Sequence, residues 1–196
     1  MKKLNAEYDY VVIVDCLSDN ERDEYDDSRH LARYLADKRI ENKIYYCANK
    51  VSVLEQLRRL TIDEHKGKKF PIVFISHGKS LSLFVKHKSE DIEWHELRQP
   101  LLDINSGMGG DLFVLMACCY GFSGYKIDQR DSEDTTFFGI IGPETPISPT
   151  ESMCANFIFF KGLIEGEEIP KCVEKMNACL GRDVYRSLTT QDNKQA

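Results

Sequence analysis

Apolar and polar positions fall in blocks along the chain, and the period changes from block to block. Residues 10–16, Tyr10-Val11-Val12-Ile13-Val14-Asp15-Cys16, form a short continuous β-branched run, the pattern of a central strand covered on both faces. Residues 17–27 hold Asp19, Glu21, Asp23, Glu24, Asp26 and Asp27 with little apolar content and read as an acidic loop. Ser28 then opens a helix with Leu31, Tyr34 and Leu35 on one face. The alternation repeats. Residues 43–47 are strand-like, and Val51, Leu54, Leu57 and Leu60 lie at helical spacing. Residues 71–76 form a third strand, with Pro71 first, where its missing N–H is tolerated. Residues 80–85 suggest a small strand, and residues 92–104 a helix despite Pro100. Gly107, Gly109 and Gly110 turn the chain into a strand at 112–117, a polar loop follows, and 137–141 is the fifth major strand. Residues 152–164 and 170–180 close the series as two helices, Pro170 standing where a helix start tolerates it.

Strands alternating with helices imply right-handed crossovers and an α/β sandwich, a mostly parallel central sheet of five or six strands between two helical layers. Such sheets carry their sites at the carboxyl ends of the strands. The 196 residues suit one domain, with a core over residues 8–180 and a frayed end at 189–196. A chain of 22.6 kDa can bury about 70% of its unfolded surface and needs no staples.

Composition narrows the functional classes. The formal charge of −6 lacks the footprint of a nucleic-acid binder, and no apolar run approaches a membrane span. No signal-peptide pattern precedes Tyr8. Seven cysteines, an odd number with no C-x-x-C pair, indicate neither a disulfide framework nor a zinc ribbon, and they fit a reducing cytoplasm. His30, His65 and His87 show no metal-ligand spacing, and His95, Glu93 and Glu96 read as helix-face residues. Gly139-x-x-Gly142-Pro143 lacks the lysine of a phosphate loop. No metal or cofactor is implied. The Phe157-Ile158-Phe159-Phe160 cluster reads as core, with a partner contact as the other reading.

Two strand ends carry reactive residues beside glycines: Ser76-His77-Gly78 and Ala117-Cys118-Cys119-Tyr120-Gly121. In a parallel sheet both lie on one edge. An imidazole there can take the proton of a thiol that is otherwise only a few per cent thiolate, and can return it to a leaving amine. Gly78 lets a backbone N–H approach a substrate closely, and with the N–H of Cys118 it forms a candidate oxyanion hole. Taken singly, a histidine after a strand and a free cysteine are more often structural than functional.

On these residues the sequence resembles the caspase-like cysteine peptidases of clan CD, the group of caspases, metacaspases, separase and the bacterial CHAT-domain peptidases. Phe113-Val114-Leu115-Met116-Ala117-Cys118-Cys119-Tyr120-Gly121 is similar to the Val-Val-Leu-Ser-Ala-Cys-x-x-Gly pattern of CHAT domains. The caspase signature Q-A-C-[RQG]-G, with its histidine about 50 residues upstream, compares with the span from His77 to Cys118. The resemblance implies a caspase-like αβα sandwich and a cysteine endopeptidase with His77 as base and Cys118 as nucleophile. It also implies a protein substrate, such as a pore-forming effector in a bacterial immune or cell-death pathway, and regulation by a separate activating partner. Met116 stands where caspases have glutamine, and Tyr120 where their signature has glycine, so the caspase pocket chemistry does not carry over. Shifting the match by one makes Cys119 the alternative nucleophile.

Substrate selection has two readings. Asp15 ends the first strand at the border of the expected specificity pocket and opens the acidic run, which favours a basic substrate residue if the run is more than a solvated loop. Met116, lining the pocket floor, favours an apolar or neutral one, and the balance leans that way. The polar segment 122–136 is long enough for an active-site loop, cut during activation in caspases. The competing readings are a catalytically silent caspase-like binding module and a flavodoxin-like binding domain in which His77 and Cys118 are incidental.

Overall fold

A computed structural model describes residues 8–62, 65–128 and 135–189. Four apolar runs become fully buried strands: β1 (Val11–Asp15), β3 (Ile72–Ile75), β7 (Phe113–Ala117) and β8 (Gly139–Pro143). Sequence with no polar face suits them because helices cover both faces of the sheet. β2 (Asn42–Tyr46) is only half-buried and lies at one edge. At the other edge β9 (Tyr185–Thr189) pairs antiparallel with β8, giving six strands in the order β2-β1-β3-β7-β8-β9. Helices α2 (Asp27–Asp37), α5 (Pro149–Glu165) and α6 (Ile169–Leu180) form one layer, and α3 (Lys50–Arg59) with α4 (Trp94–Gly107) the other. The α/β sandwich expected from the sequence is present.

The structure corrects several local expectations. The acidic segment contains a helix, α1 (Asp19–Tyr25), rather than a loop throughout. Ser18 starts it: its N–H and hydroxyl both donate to Glu21 Oε2, at 3.0 and 2.7 Å, and its carbonyl accepts from Arg22 N–H. β9 takes up Thr189, expected to fray, which pairs with Gly139, while residues 190–196 lie outside the described ones. A three-stranded antiparallel sheet of β4 (His77–Lys79), β5 (Ser82–Val85) and β6 (Glu90–Glu93) replaces the single small strand. In α3 the buried face carries Val53 and Leu57, and Val51 is exposed.

The Phe157–Phe160 cluster is largely core: Phe159 and Phe160 are buried, and Phe157 tilts onto Tyr34 of α2. The first part of the expected active-site loop, residues 122–127, lies in a 3-10 turn (Gly121–Ile127), and Asp128 accepts from the N–H and hydroxyl of Thr136. Its central residues, Arg130, Asp131, Glu133 and Asp134 among them, lie outside the described ones. No helix among the described residues is long and apolar enough to cross a membrane.

Candidate active site

The carboxyl ends of β3 and β7, adjacent parallel strands, bring the two predicted strand ends to one cleft. Ser76, His77, Ala117, Cys118 and Cys119 form its base, α1 and the start of α2 supply Glu21, Tyr25 and Asp27, and Ile147, Ser148, Pro149 and Ser152 come from the opposite wall at the start of α5. At Ser76 the chain leaves the main sheet. The Ser76 hydroxyl donates to Phe84 O across the small sheet at 2.8 Å, and His77 begins β4.

His77 Nε2 lies 2.7 Å from Glu21 Oε1. Partial burial raises the Glu21 carboxyl, but the bonds from Ser18 and His77 outweigh it and hold the group below its ordinary value. An ionised carboxylate only accepts, so Nε2 carries the proton and donates it to this bond. Nδ1 is then the basic nitrogen. Glu21 was hidden in the acidic run. The signal that exposes it is Ser18-x-x-Glu21, a capping box whose glutamate has a second oxygen to spare.

Gly78 and Gly121 allow the two strand ends to close on each other. A Cβ on Gly78 would stand 2.0 Å from Cys119 O and 3.0 Å from Cys118 Sγ, so only glycine lets β4 pass this near the Cys119–Tyr120 peptide. One on Gly121 would stand 2.5 Å from Met116 O and 3.2 Å from Cys118 Sγ, which accounts physically for the glycine three residues after the cysteine.

The two cysteines differ in surroundings. Cys118 is 2% exposed, and burial, with Cys119 beside it, pushes its thiol far up, so it rests protonated. Cys119 is half-buried, and its sulfur is held between the N–H and carbonyl of Ile147 at 3.4 and 3.5 Å. Cys118 Sγ thus lies against the glycine that follows His77, whereas Cys119 Sγ is engaged by the α5 side.

The residues expected to select substrate lie outside this cleft. Asp15 is fully buried and accepts from Leu17 N–H at 2.9 Å, Arg22 Nε at 3.2 Å and the Ser28 hydroxyl at 2.6 Å, so its charge is met within the fold. Met116 is buried beneath the 3-10 turn, its side chain against Gly121 and Gly124. Asp27 stands in the cleft wall instead, 8% exposed, and burial together with Asp15 and Asp26 pushes its carboxyl up to about 6. Among the described residues no group of three or more His, Cys, Asp or Glu is arranged to hold a metal ion.

No protein-family model and no curated protein matches the sequence. Solved structures do match the fold. The Drosophila initiator caspase Dronc superposes with a TM-score of 0.67 over 96% of this chain and 81% of its own, at 9% identity. The complex of Porphyromonas gingivalis RgpB pro- and mature domains superposes with a TM-score of 0.55 over 92% of this chain, at 11% identity, and this chain spans 47% of that one. With its six-stranded, mostly parallel sheet between two helical layers, the chain has a caspase-like fold.

Proposed function

We propose that the chain is a caspase-like cysteine endopeptidase of the kind the CHAT-similar strand end suggests, with Cys118 as nucleophile and His77 as general base and acid. The observation that carries this reading is the His77–Glu21 bond of 2.7 Å in the same cleft as Cys118. It fixes the imidazole in the tautomer a base requires, as a buried carboxylate does in serine hydrolases.

Nδ1 takes the Cys118 proton, and the thiolate attacks the scissile carbonyl carbon. The N–H groups of Gly78 and Cys118 receive the oxyanion. The C–N bond then breaks, the imidazolium protonates the leaving amine, and a thioester remains. Water, deprotonated by His77, attacks that thioester and releases the acid and the thiol. Asp27 offers the cleft a carboxylate with no basic partner among the described residues, so the preferred substrate residue carries a cation. That replaces the apolar preference drawn from Met116.

The buried, protonated Cys118 makes the resting form a closed one, opened by a separate activating partner. The substrate is another protein. A pore-forming or other effector would set the cut in a bacterial defence or cell-death cascade, and a cytoplasmic location suits the free thiols. The same burial favours the second reading, a silent caspase-like module that binds a partner through this edge.

The test is a peptide library offered to the wild type and to Cys118→Ala and Cys119→Ala. Cleavage after lysine or arginine that only Cys118→Ala abolishes supports the proposal. Activity that survives in Cys118→Ala, or no cleavage with lysates of the source cell added, favours the other nucleophile or the silent module respectively.

A further inference from the structure

Two thiols that the cleft does not use face each other on neighbouring helices. Cys154, in the second turn of α5, has its Sγ 3.2 Å from that of Cys179, next to the last residue of α6 and 25 positions along the chain. Both reach solvent, Cys179 exposed and Cys154 half-buried, whereas Cys16, Cys47, Cys118 and Cys172 are buried and Cys119 is held by Ile147. A disulfide needs its sulfurs about 2.05 Å apart, so the pair closes with a shift of about 1 Å. The chain can absorb that shift at the end of α6, where Gly181 turns it out of the helix two residues after Cys179.

We propose that Cys154 and Cys179 are a redox modification site, a dithiol that a peroxide converts reversibly into an intramolecular disulfide. The Cys179 sulfur attacks one peroxide oxygen, the O–O bond breaks, and a sulfenic acid and one water form. The Cys154 sulfur then attacks the Cys179 sulfur, expelling its oxygen as a second water and closing the S–S bond. Two thiols lose two hydrogens and two electrons, and the peroxide is reduced to water. Cys179 is the more exposed of the two and meets the oxidant first.

The site is placed to act on the cleft wall. Arg182, just after α6, pairs with Glu151 in the first turn of α5 at 2.8 Å, and that turn also holds the cleft residues Pro149 and Ser152. A bond between Cys154 and Cys179 therefore ties the end of α6 more firmly to the helix start that walls the cleft, whatever chemistry the cleft performs.

The experiment treats the full chain with a small excess of hydrogen peroxide, blocks the remaining thiols, and reads intact mass and a non-reducing peptide map. The expected result is the loss of two hydrogens, a peptide linking Cys154 to Cys179 that dithiothreitol releases, and a Tm several degrees above that of the reduced protein. Cys154→Ser and Cys179→Ser, each first checked for a wild-type circular dichroism spectrum, are expected to lose both the link and the Tm gain. A map with sulfinic acid on either cysteine, or Cys179 linked between two chains, and no Cys154–Cys179 peptide, would overturn the proposal. Neither readout depends on peptidase activity.

Discussion

Asp27→Asn removes an acid whose ionisation the fold opposes. Burial, with Asp15 and Asp26 beside it, raises this carboxyl from 3.8 to about 6. The native state therefore holds its proton more tightly than the unfolded chain does. The stability this gives is complete below the unfolded value and is lost as pH rises through the native one. A gap of about 2 pH units at about 1.4 kcal/mol each puts the cost of ionising Asp27 in the folded protein near 3 kcal/mol. Water reaching a group at the edge of a cleft lowers that figure, so asparagine is expected to stabilise the protein by about 2–3 kcal/mol at about pH 7.5. For a chain of this size that is roughly 4–12 °C in Tm. At about pH 4.5 the native carboxyl is protonated and the advantage falls to about 1 kcal/mol. Urea unfolding of both proteins at the two pH values, followed by circular dichroism, measures the difference. An equal effect at both, or a variant less stable near neutrality, refutes the argument and removes the basis for a cation-binding role. An acid kept at such a cost in a cleft wall is the kind of residue function retains.

Two further substitutions examine the cleft. Glu21→Gln replaces an obligate acceptor with a group that can also donate, so the His77 tautomer is no longer fixed. With peptidase activity in hand, kcat is expected to fall about 10- to 100-fold at a nearly unchanged KM, since general acid–base catalysis itself contributes about 10²–10⁴-fold. A kcat within about twofold of wild type would remove Glu21 from the mechanism. Gly78→Ala drives a methyl group into the backbone at Cys119, and a loss of about 1–3 kcal/mol in chemical denaturation is expected. A neutral Gly78→Ala would show that β4 does not pass so close.

Continuous apolar runs made the sheet legible, because a short β-branched run such as Val11-Val12-Ile13-Val14 suits a strand covered on both faces better than a helix. What escaped was decided at edges. β9, Tyr-Arg-Ser-Leu-Thr, buries only Tyr185 fully, so its pattern carries no period. β4, β5 and β6 have only three or four residues each, too short for alternation to register. His77, Gly78 and Cys118 were legible because a reactive residue beside glycine at a strand end is a local pattern. Glu21 and Asp27 were not, because the cleft residues they join, His77 and Cys118, are far along the chain and in sequence both acids look like any other solvated acid. Asp15 drew attention by ending a strand, but strand ends also hold loops, and its carboxylate anchors Leu17, Arg22 and Ser28.

Whether His77 activates Cys118 is read from the rate of alkylation at each cysteine. Rates are read by mass spectrometry from about pH 5 to 9, a range that spans the imidazole and free thiol values. The proteins are the wild type, His77→Ala, Cys118→Ala and Cys119→Ala. With source-cell lysate added to supply the activating partner, Cys118 is expected to react fastest near neutral pH and to slow when His77 is lost, while the other cysteines are unaffected. Cys119 reacting first would move the nucleophile by one residue, and cysteine rates that ignore His77 altogether would contradict the dyad.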